Sequence, residues 1–251
     1  MSAPGKILVL ITGANSGIGL ELTRQLMAKG TYHVFLCSRT PEKGAAALKG
    51  LQAANLSGTA EAITLDVTDD ATINAAFQSI QQSHGRLDIL VNNAAVAIVP
   101  GENSVRERMQ KAFDTNATGP AVITQTFGPL LHKSQTTPRI INVSSGIGSI
   151  QRRFNKESPF YRYYDLEYRA SKCALSMVTA NQYAQYADSE LGAKVFAYDP
   201  GFTVSNLGPQ NNKSSGARDV SESVRPLVDV LEGKRDGENG KFLHNTGVYE
   251  W

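Results

Sequence analysis

Apolar and polar positions along the chain fall into blocks whose lengths separate strands from helices. Ile7 to Ile11 (ILVLI) is short, wholly apolar and rich in β-branched residues, the pattern of a strand buried on both faces. Three glycines follow at GxxxGxG spacing through Gly19, and Leu20 to Lys29 carries the periodicity of an amphipathic helix. Tyr32 to Ser38 predicts a second buried strand, and Glu42 to Ala54 a helix helped by its alanine run. Ala62 to Asp66 predicts a third strand, with Asp69 placed to cap a helix that runs to Ser83. Leu87 to Val91 predicts a fourth strand, running into Asn92-Asn93-Ala94-Ala95. Helices over Arg106 to Ala117 and Pro120 to His132 precede a fifth strand at Arg139 to Val143. A long helix at Tyr163 to Asp188, a last helix at Val220 to Leu231 and a final strand at Gly240 to His244 complete the pattern.

Strands alternating with helices at this pitch imply βαβ units and a parallel α/β sheet. Open sheets of this kind bind ligands beyond the carboxyl ends of their strands. Gly13, Arg39, Asp66, Asn92 and Ser145 all fall at such ends, so five separate strands deliver chemistry to one edge. No internal repeat, low-complexity tract or linker interrupts the chain, which reads as a single domain over residues 1–251.

Composition narrows the function classes. A net charge of +2 is too small to point to nucleic acid or an anionic membrane. No apolar run approaches the roughly 18–20 residues of a membrane span, and Ile7 to Ile11 is too short for a signal-peptide core. Cys37 and Cys173 lie in strand-like and helix-like contexts and read as small apolar filler, so a reducing, cytoplasmic setting is expected. His33, His84, His132 and His244 are scattered and make no metal-ligand pattern with the two cysteines, so the sequence suggests no metal.

The glycine bend between strand and helix brings several backbone N–H groups and a helix N-terminus to one point, a ready anion site. It can equally be an ordinary turn; the flanking strand and helix favour nucleotide binding. At the tip of the second strand stand Arg39 and, four residues on, Lys43, with no acid before Glu42. An acid there would hold a free ribose 2′-OH, whereas these bases suit a 2′-phosphate. The paired amides Asn92 and Asn93 at a buried strand end must tie loops together or contact a ligand. Tyr168 and Lys172, four apart in the long helix, share a face. A phenol ordinarily titrates near about 10, and a neighbouring ammonium favours the phenolate, making Tyr168 a usable general acid or base.

These motifs together resemble the short-chain dehydrogenase/reductase family. TGANSGIG at Thr12 to Gly19, Asp66-Val67, NNAA at Asn92 to Ala95, Asn116 before Ala117-Thr118-Gly119, Asn142-Val143-Ser144-Ser145, YRASK at Tyr168 to Lys172 and Pro200-Gly201 carry the likeness. The basic Arg39 and Lys43 are most like those of the NADPH-dependent carbonyl reductases. The resemblance implies a Rossmann-type doubly wound parallel sheet flanked by helices. It also implies an oxidoreductase passing hydride between NADP(H) and a ketone or aldehyde, a small-molecule substrate. The implied tetrad is Asn116, Ser145, Tyr168 and Lys172: Tyr168 gives the proton, Lys172 lowers its pKa and holds the ribose hydroxyls, Ser145 bonds the substrate oxygen, and Asn116 anchors a relaying water. The implied cofactor contacts are Gly13, Asn15, Ser16, Gly17, Ile18 and Gly19 at the bend, Arg39 and Lys43 at the ribose, and Asp66 and Val67 at the adenine. Asn92 and Ala94 would lie on the adenosine side, with Pro200, Gly201, Thr203 and Ser205 near the nicotinamide.

NNAA stands where the family more often has NNAG, and the hydroxyl expected to hold the carboxamide is Ser205, with Thr203 as the alternative. Between Ser145 and Tyr168 lies a longer segment than the family minimum, with a basic and aromatic insert over 151–164. It reads as a recognition loop for a large or acidic aromatic substrate or as a solvated loop covering a core edge. It precedes the helix that family members often use for tetramer contacts and would hinder that packing, which leaves homo-oligomerisation open. Gly201 to Arg218, rich in Gly, Ser, Asn and Pro, reads as a mobile lid. Two other readings stand beside the NADPH reductase: a cofactor-binding sensor or scaffold with vestigial activity, and the same fold using NADH.

Overall fold

A computed structural model describes residues 5–97, 104–158 and 160–251, so Pro159 of the insert lies outside the described residues. The strands are β1 (Ile7–Ile11), β2 (Tyr32–Ser38), β3 (Thr59–Thr64), β4 (Ile89–Asn92), β5 (Arg139–Val143), β6 (Lys194–Asp199), β7 (Phe242–His244) and β8 (Gly247–Tyr249). All eight join one sheet in the order β3-β2-β1-β4-β5-β6-β7-β8. Every pairing is parallel except that of β7 with β8. The chain starts in the middle, winds outward to β3, then returns beside β1 at β4 and winds the other way. The gap between the carboxyl ends of β1 and β4 is therefore the switch point at which such sheets bind ligands.

Helices α1 (Gly17–Ala28), α2 (Pro41–Gln52), α3 (Asp70–Ser83), α4 (Val105–Phe113), α5 (Gly119–Leu131), α6 (Ile150–Arg153), α7 (Leu166–Gln182) and α8 (Val220–Leu231) connect and cover the strands. Alternation along β1 explains the two layers. Val9 and Ile11 pack with Leu22, Leu26 and Leu227 of α1 and α8, while Leu8 and Leu10 pack with Ile80, Phe127 and Leu130 of α3 and α5. Each such side chain, withdrawn fully from water, stabilises the fold by about 1.5–3 kcal/mol before entropy is counted.

Most elements lie within a few residues of their sequence-predicted bounds, and two differences matter. β6 has no counterpart in the sequence reading, although Val195-Phe196-Ala197-Tyr198 is a wholly buried run between Ala193 and Pro200. The helix expected over 106–117 ends at Phe113 and continues as one wide turn, Asp114–Thr118, which carries Asn116. Such π-type turns often lie at functional sites. Among the described residues no helix is long and apolar enough to cross a membrane.

Candidate active site

The bend after β1 is closely packed against the β4 loop and open at its backbone N–H groups. Gly13 and Gly17 take left-handed backbone at φ +62° and +55°. A Cβ on Gly13 would stand 3.0 Å from the Ala94 Cα, and one on Gly19 would stand 2.9 Å from the Ala14 Cα. Ser16 precedes α1 without a side-chain capping bond, and the first turn holds no acid. The N–H groups of Gly17, Ile18 and Gly19 are thus not claimed by a capping side chain, and the positive end of α1 faces the bend. These features fit a pyrophosphate, with Asn15 and Ser16 on the loop itself. Arg39 and Lys43 are both exposed beyond β2 and pair with no carboxylate among the described residues, which leaves them available to a 2′-phosphate.

Other predicted residues are spent inside the protein. The Asn92 amide is buried and donates to the Asn142 Oδ1 (2.8 Å) and the Thr124 Oγ1 (3.2 Å). Asn142 in turn donates to Thr179 (2.9 Å) and Gln182 (2.7 Å), so a polar ladder ties β4, β5, α5 and α7. The Asn93 amide donates to the Thr12 carbonyl (2.8 Å), while the Thr12 hydroxyl accepts from the backbone N–H of Asn93 and of Ala94. The N–H donors of both amides tie segments together, while the buried Asn92 Oδ1 has no hydrogen-bond partner; Ala94 lies against Gly13 at the bend. Asp66 accepts from the backbone and hydroxyl of Thr68, and Val67 is buried against Gly119.

Tyr168, Lys172 and Ser145 meet at the carboxyl end of β5. The Lys172 Nζ lies 5.7 Å from the Tyr168 ring centroid and donates to the Val143 carbonyl at 2.8 Å. Gly148 brings the intervening loop hard against α7, where a Cβ would lie 2.7 Å from that of Lys172. Asn116 holds the backbone of Val96 at both polar atoms (2.9 and 2.8 Å) and donates to the Ser171 hydroxyl (2.9 Å), placing it beneath the same helix.

Burial governs the electrostatics. It pushes the Tyr168 phenol well above its ordinary value; the Asp199 carboxylate pushes the same way, and a hydrogen bond with Ser145 opposes both. Burial also pulls Lys172 down to about 7, against the attraction of Asp199. For the phenol, the desolvation that raises its pKa outweighs the Ser145 hydrogen bond that lowers it.

After Pro200, where the resemblance expects the nicotinamide, Gly201 turns with φ +78°. The Thr203 hydroxyl is buried and bonded to the Gly201 carbonyl (2.9 Å) and to Ser223 (2.8 Å), whereas Ser205, partly exposed above Gly17, accepts one long bond from the Leu207 N–H (3.4 Å) and keeps its hydroxyl proton for a ligand. The expected lid is laced by backbone bonds, Val204 to Arg218 and Ser205 to Asn211 among them, and touches the insert where Gln210 donates to the Tyr163 hydroxyl at 3.1 Å.

A family model described as short chain dehydrogenase matches residues 7–216. The chain is 35% identical to the short-chain dehydrogenase/reductase tropE of Talaromyces stipitatus over 96% of each chain. It is 26% identical to the NADPH carbonyl reductase 1 of pig, covering 97% of this chain and 94% of that one. Among solved structures, the NADPH-bound carbonyl reductase from chicken fatty liver superposes with a TM-score of 0.82 at 32% identity, covering 98% of this chain and 100% of that one. The protein belongs to the short-chain dehydrogenase family.

Two features of this short-chain dehydrogenase escaped the sequence reading. Asp199, at the end of β6 directly before Pro200-Gly201, is buried; its Oδ2 accepts from the Gly146 N–H (2.9 Å) and its Oδ1 from the Gly201 N–H (2.8 Å). It thereby joins the loop after Ser145 to the loop before Thr203. Tyr249 of β8 packs on Gly146 and hydrogen-bonds Asp199, with the Arg152 guanidinium 4.1 Å over its ring. The available signal was the acid directly ahead of Pro200-Gly201. Asp199→Asn removes a charge that holds the Tyr168 phenol up, so for a dehydrogenase in which that phenol carries the proton the alkaline limb of kcat/KM should move to lower pH. An unmoved limb would show that Asp199 only braces the two loops.

The insert is spent partly on itself. Arg153 donates to the Tyr161 carbonyl, and Arg169 to the carbonyls of Ile147 (3.0 Å) and Phe160 (2.7 Å). A cleft of about 360 Å³ lies between the insert and α7, lined by Phe154, Tyr163, Tyr164, Leu166, Arg169 and Cys173. At about 100° per residue, positions 166, 169 and 173 centre about 110° around α7 from 168 and 172, and Ile147 and Gly148 also line the cleft, so it flanks the helix face that carries Tyr168 and Lys172.

Proposed function

We propose that this short-chain dehydrogenase transfers hydride between NADPH and a ketone or aldehyde, with Asn116, Ser145, Tyr168 and Lys172 as its tetrad. The observation that carries the reading is a buried phenol and amine one helical turn apart, beside Ser145, on the edge of the sheet that also carries the glycine cradle. When bound, the dinucleotide supplies hydride to the carbonyl carbon. Tyr168, held protonated by its burial, donates the phenolic proton to the substrate oxygen. Ser145 hydrogen-bonds that oxygen and, through its bond to Tyr168, offsets part of the phenolate's desolvation. Lys172, fixed on the Val143 carbonyl, would hold the ribose hydroxyls with its remaining donors. Asn116 keeps the β4 loop and α7 in register through Val96 and Ser171 and would anchor a relaying water.

NADPH preference rests on Arg39 and Lys43. Arg39→Ala should weaken NADPH binding roughly 10- to 100-fold, the worth of one charge-assisted hydrogen bond, and leave NADH nearly unchanged, as read by fluorescence titration of each nucleotide. An unchanged preference would assign the fold to NADH. Consumption of NADPH across a panel of ketones and aldehydes tests the enzyme reading itself. Tight NADPH binding with no turnover on any of them would make the protein a sensor or scaffold.

A further inference from the structure

We propose that His33, Glu61 and His84 bind a divalent transition-metal ion of the zinc class at the end of the sheet opposite the glycine cradle. The three are far apart in sequence: His33 is the second residue of β2, Glu61 lies in β3, and His84 closes α3. Parallel pairing sets His33 beside Thr59 and Phe35 beside Glu61, and α3 lays His84 across them. Their donor atoms fall within 4.8 Å of one another. His33 stands five residues before Ser38, roughly 16 Å along the strand from the nucleotide edge.

The separations decide between a metal site and a hydrogen-bonded cluster. The Glu61 Oε1 lies 3.3 Å from the His84 Nε2 and 3.6 Å from the His33 Nε2. Good N–H···O bonds span about 2.7–3.2 Å. With metal–ligand bonds of about 2.0–2.1 Å, the edge of a tetrahedron is about 3.3–3.4 Å. One of the two distances lies at that edge and the other just above it, both beyond a good hydrogen bond, and the remaining separation, between the imidazoles, is within 4.8 Å. The His33 Nδ1 is held by the Thr59 Oγ1 at 2.8 Å, the kind of outer contact that orients a ligating imidazole and leaves Nε2 as donor to the ion. That Nε2 is buried and has no hydrogen-bond partner. The His84 side chain is only 6% exposed and that of His33 16%, while Glu61 at 41% leaves an entry path and a fourth position for water. Two imidazoles and one carboxylate suit zinc better than magnesium or calcium, which prefer all-oxygen sets. Such an ion would pin the outer strands β2 and β3 to the end of α3.

The test uses the whole chain, stripped with EDTA and titrated with zinc chloride alone by calorimetry. One ion per chain is expected, with a melting-temperature rise of about 5–10 °C when free zinc stands near 100 times its dissociation constant. Glu61→Gln and His84→Asn should each weaken binding at least about tenfold, and Thr59→Ala, one contact out, should weaken it about tenfold. Melting of the metal-free variants separates lost binding from lost folding, and cobalt substituted at the site should show the visible absorption of a tetrahedral complex. Absence of stoichiometric binding, or binding unchanged in both Glu61→Gln and His84→Asn, would overturn the assignment and leave an ion-paired cluster. None of these readouts depends on dehydrogenase activity, so failure here and failure of the reductase reading are separable.

Discussion

Tyr168→Phe is expected to cut carbonyl reduction by about 10²–10⁴-fold, the usual worth of a positioned general acid, while NADPH still binds. The substitution removes one oxygen from a buried ring and keeps its packing, so the fold should tolerate it. Losing that hydroxyl also leaves Ser145 without its partner at the point where the substrate oxygen would sit. Single-turnover measurement of the reduction step, beside a nucleotide titration, separates the effects. A variant that retained more than about a tenth of wild-type turnover would take the proton-donor role from Tyr168.

Lys172→Met should abolish most activity and yet stabilise the protein at low pH. Burial takes Lys172 from 10.5 to about 7 in the folded chain. Between these values the unfolded chain holds a proton that the folded chain has released, so stability rises with pH across the window. Below pH 7 the folded state carries the full cost of a buried ammonium, and above about pH 10.5 that cost has gone. Replacement by an uncharged side chain of similar length should therefore raise unfolding free energy at pH 6 by on the order of 3 kcal/mol. Loss of the bond to the Val143 carbonyl, worth about 1 kcal/mol, offsets part of that gain. The gain should shrink steadily toward pH 10, and urea unfolding of both proteins at pH 6, 8 and 10 measures it. A gain that did not vary with pH would mean that Lys172 is not desolvated.

Both predictions depend on elements whose local pattern was plain. The strand at Ile7–Ile11, the glycine bend and α1 are contiguous, and each is specified by residues within a turn or two of itself. The four-residue interval between Tyr168 and Lys172 is likewise local, because helical pitch alone puts them on one face. β6 was less plain: its apolar run is short, and nothing before it marks a turn as strongly as Pro200-Gly201 marks its end. Asp199 went unread for the same reason, since its importance lies in the two N–H groups that distant loops bring to it.

The sequence by itself determined the alternation of strands and helices through β5, the glycine bend after β1 and the pairing of phenol with amine, because short-range periodicity and backbone freedom control all three. Only the tertiary structure decided that the Asn92 and Asn93 amides donate to other segments, that burial pushes the Tyr168 phenol up and pulls Lys172 down, and that His33, Glu61 and His84 meet. Desolvation and through-space contact set those outcomes, and both depend on which distant segments pack around a group, something the spacing along the chain does not encode.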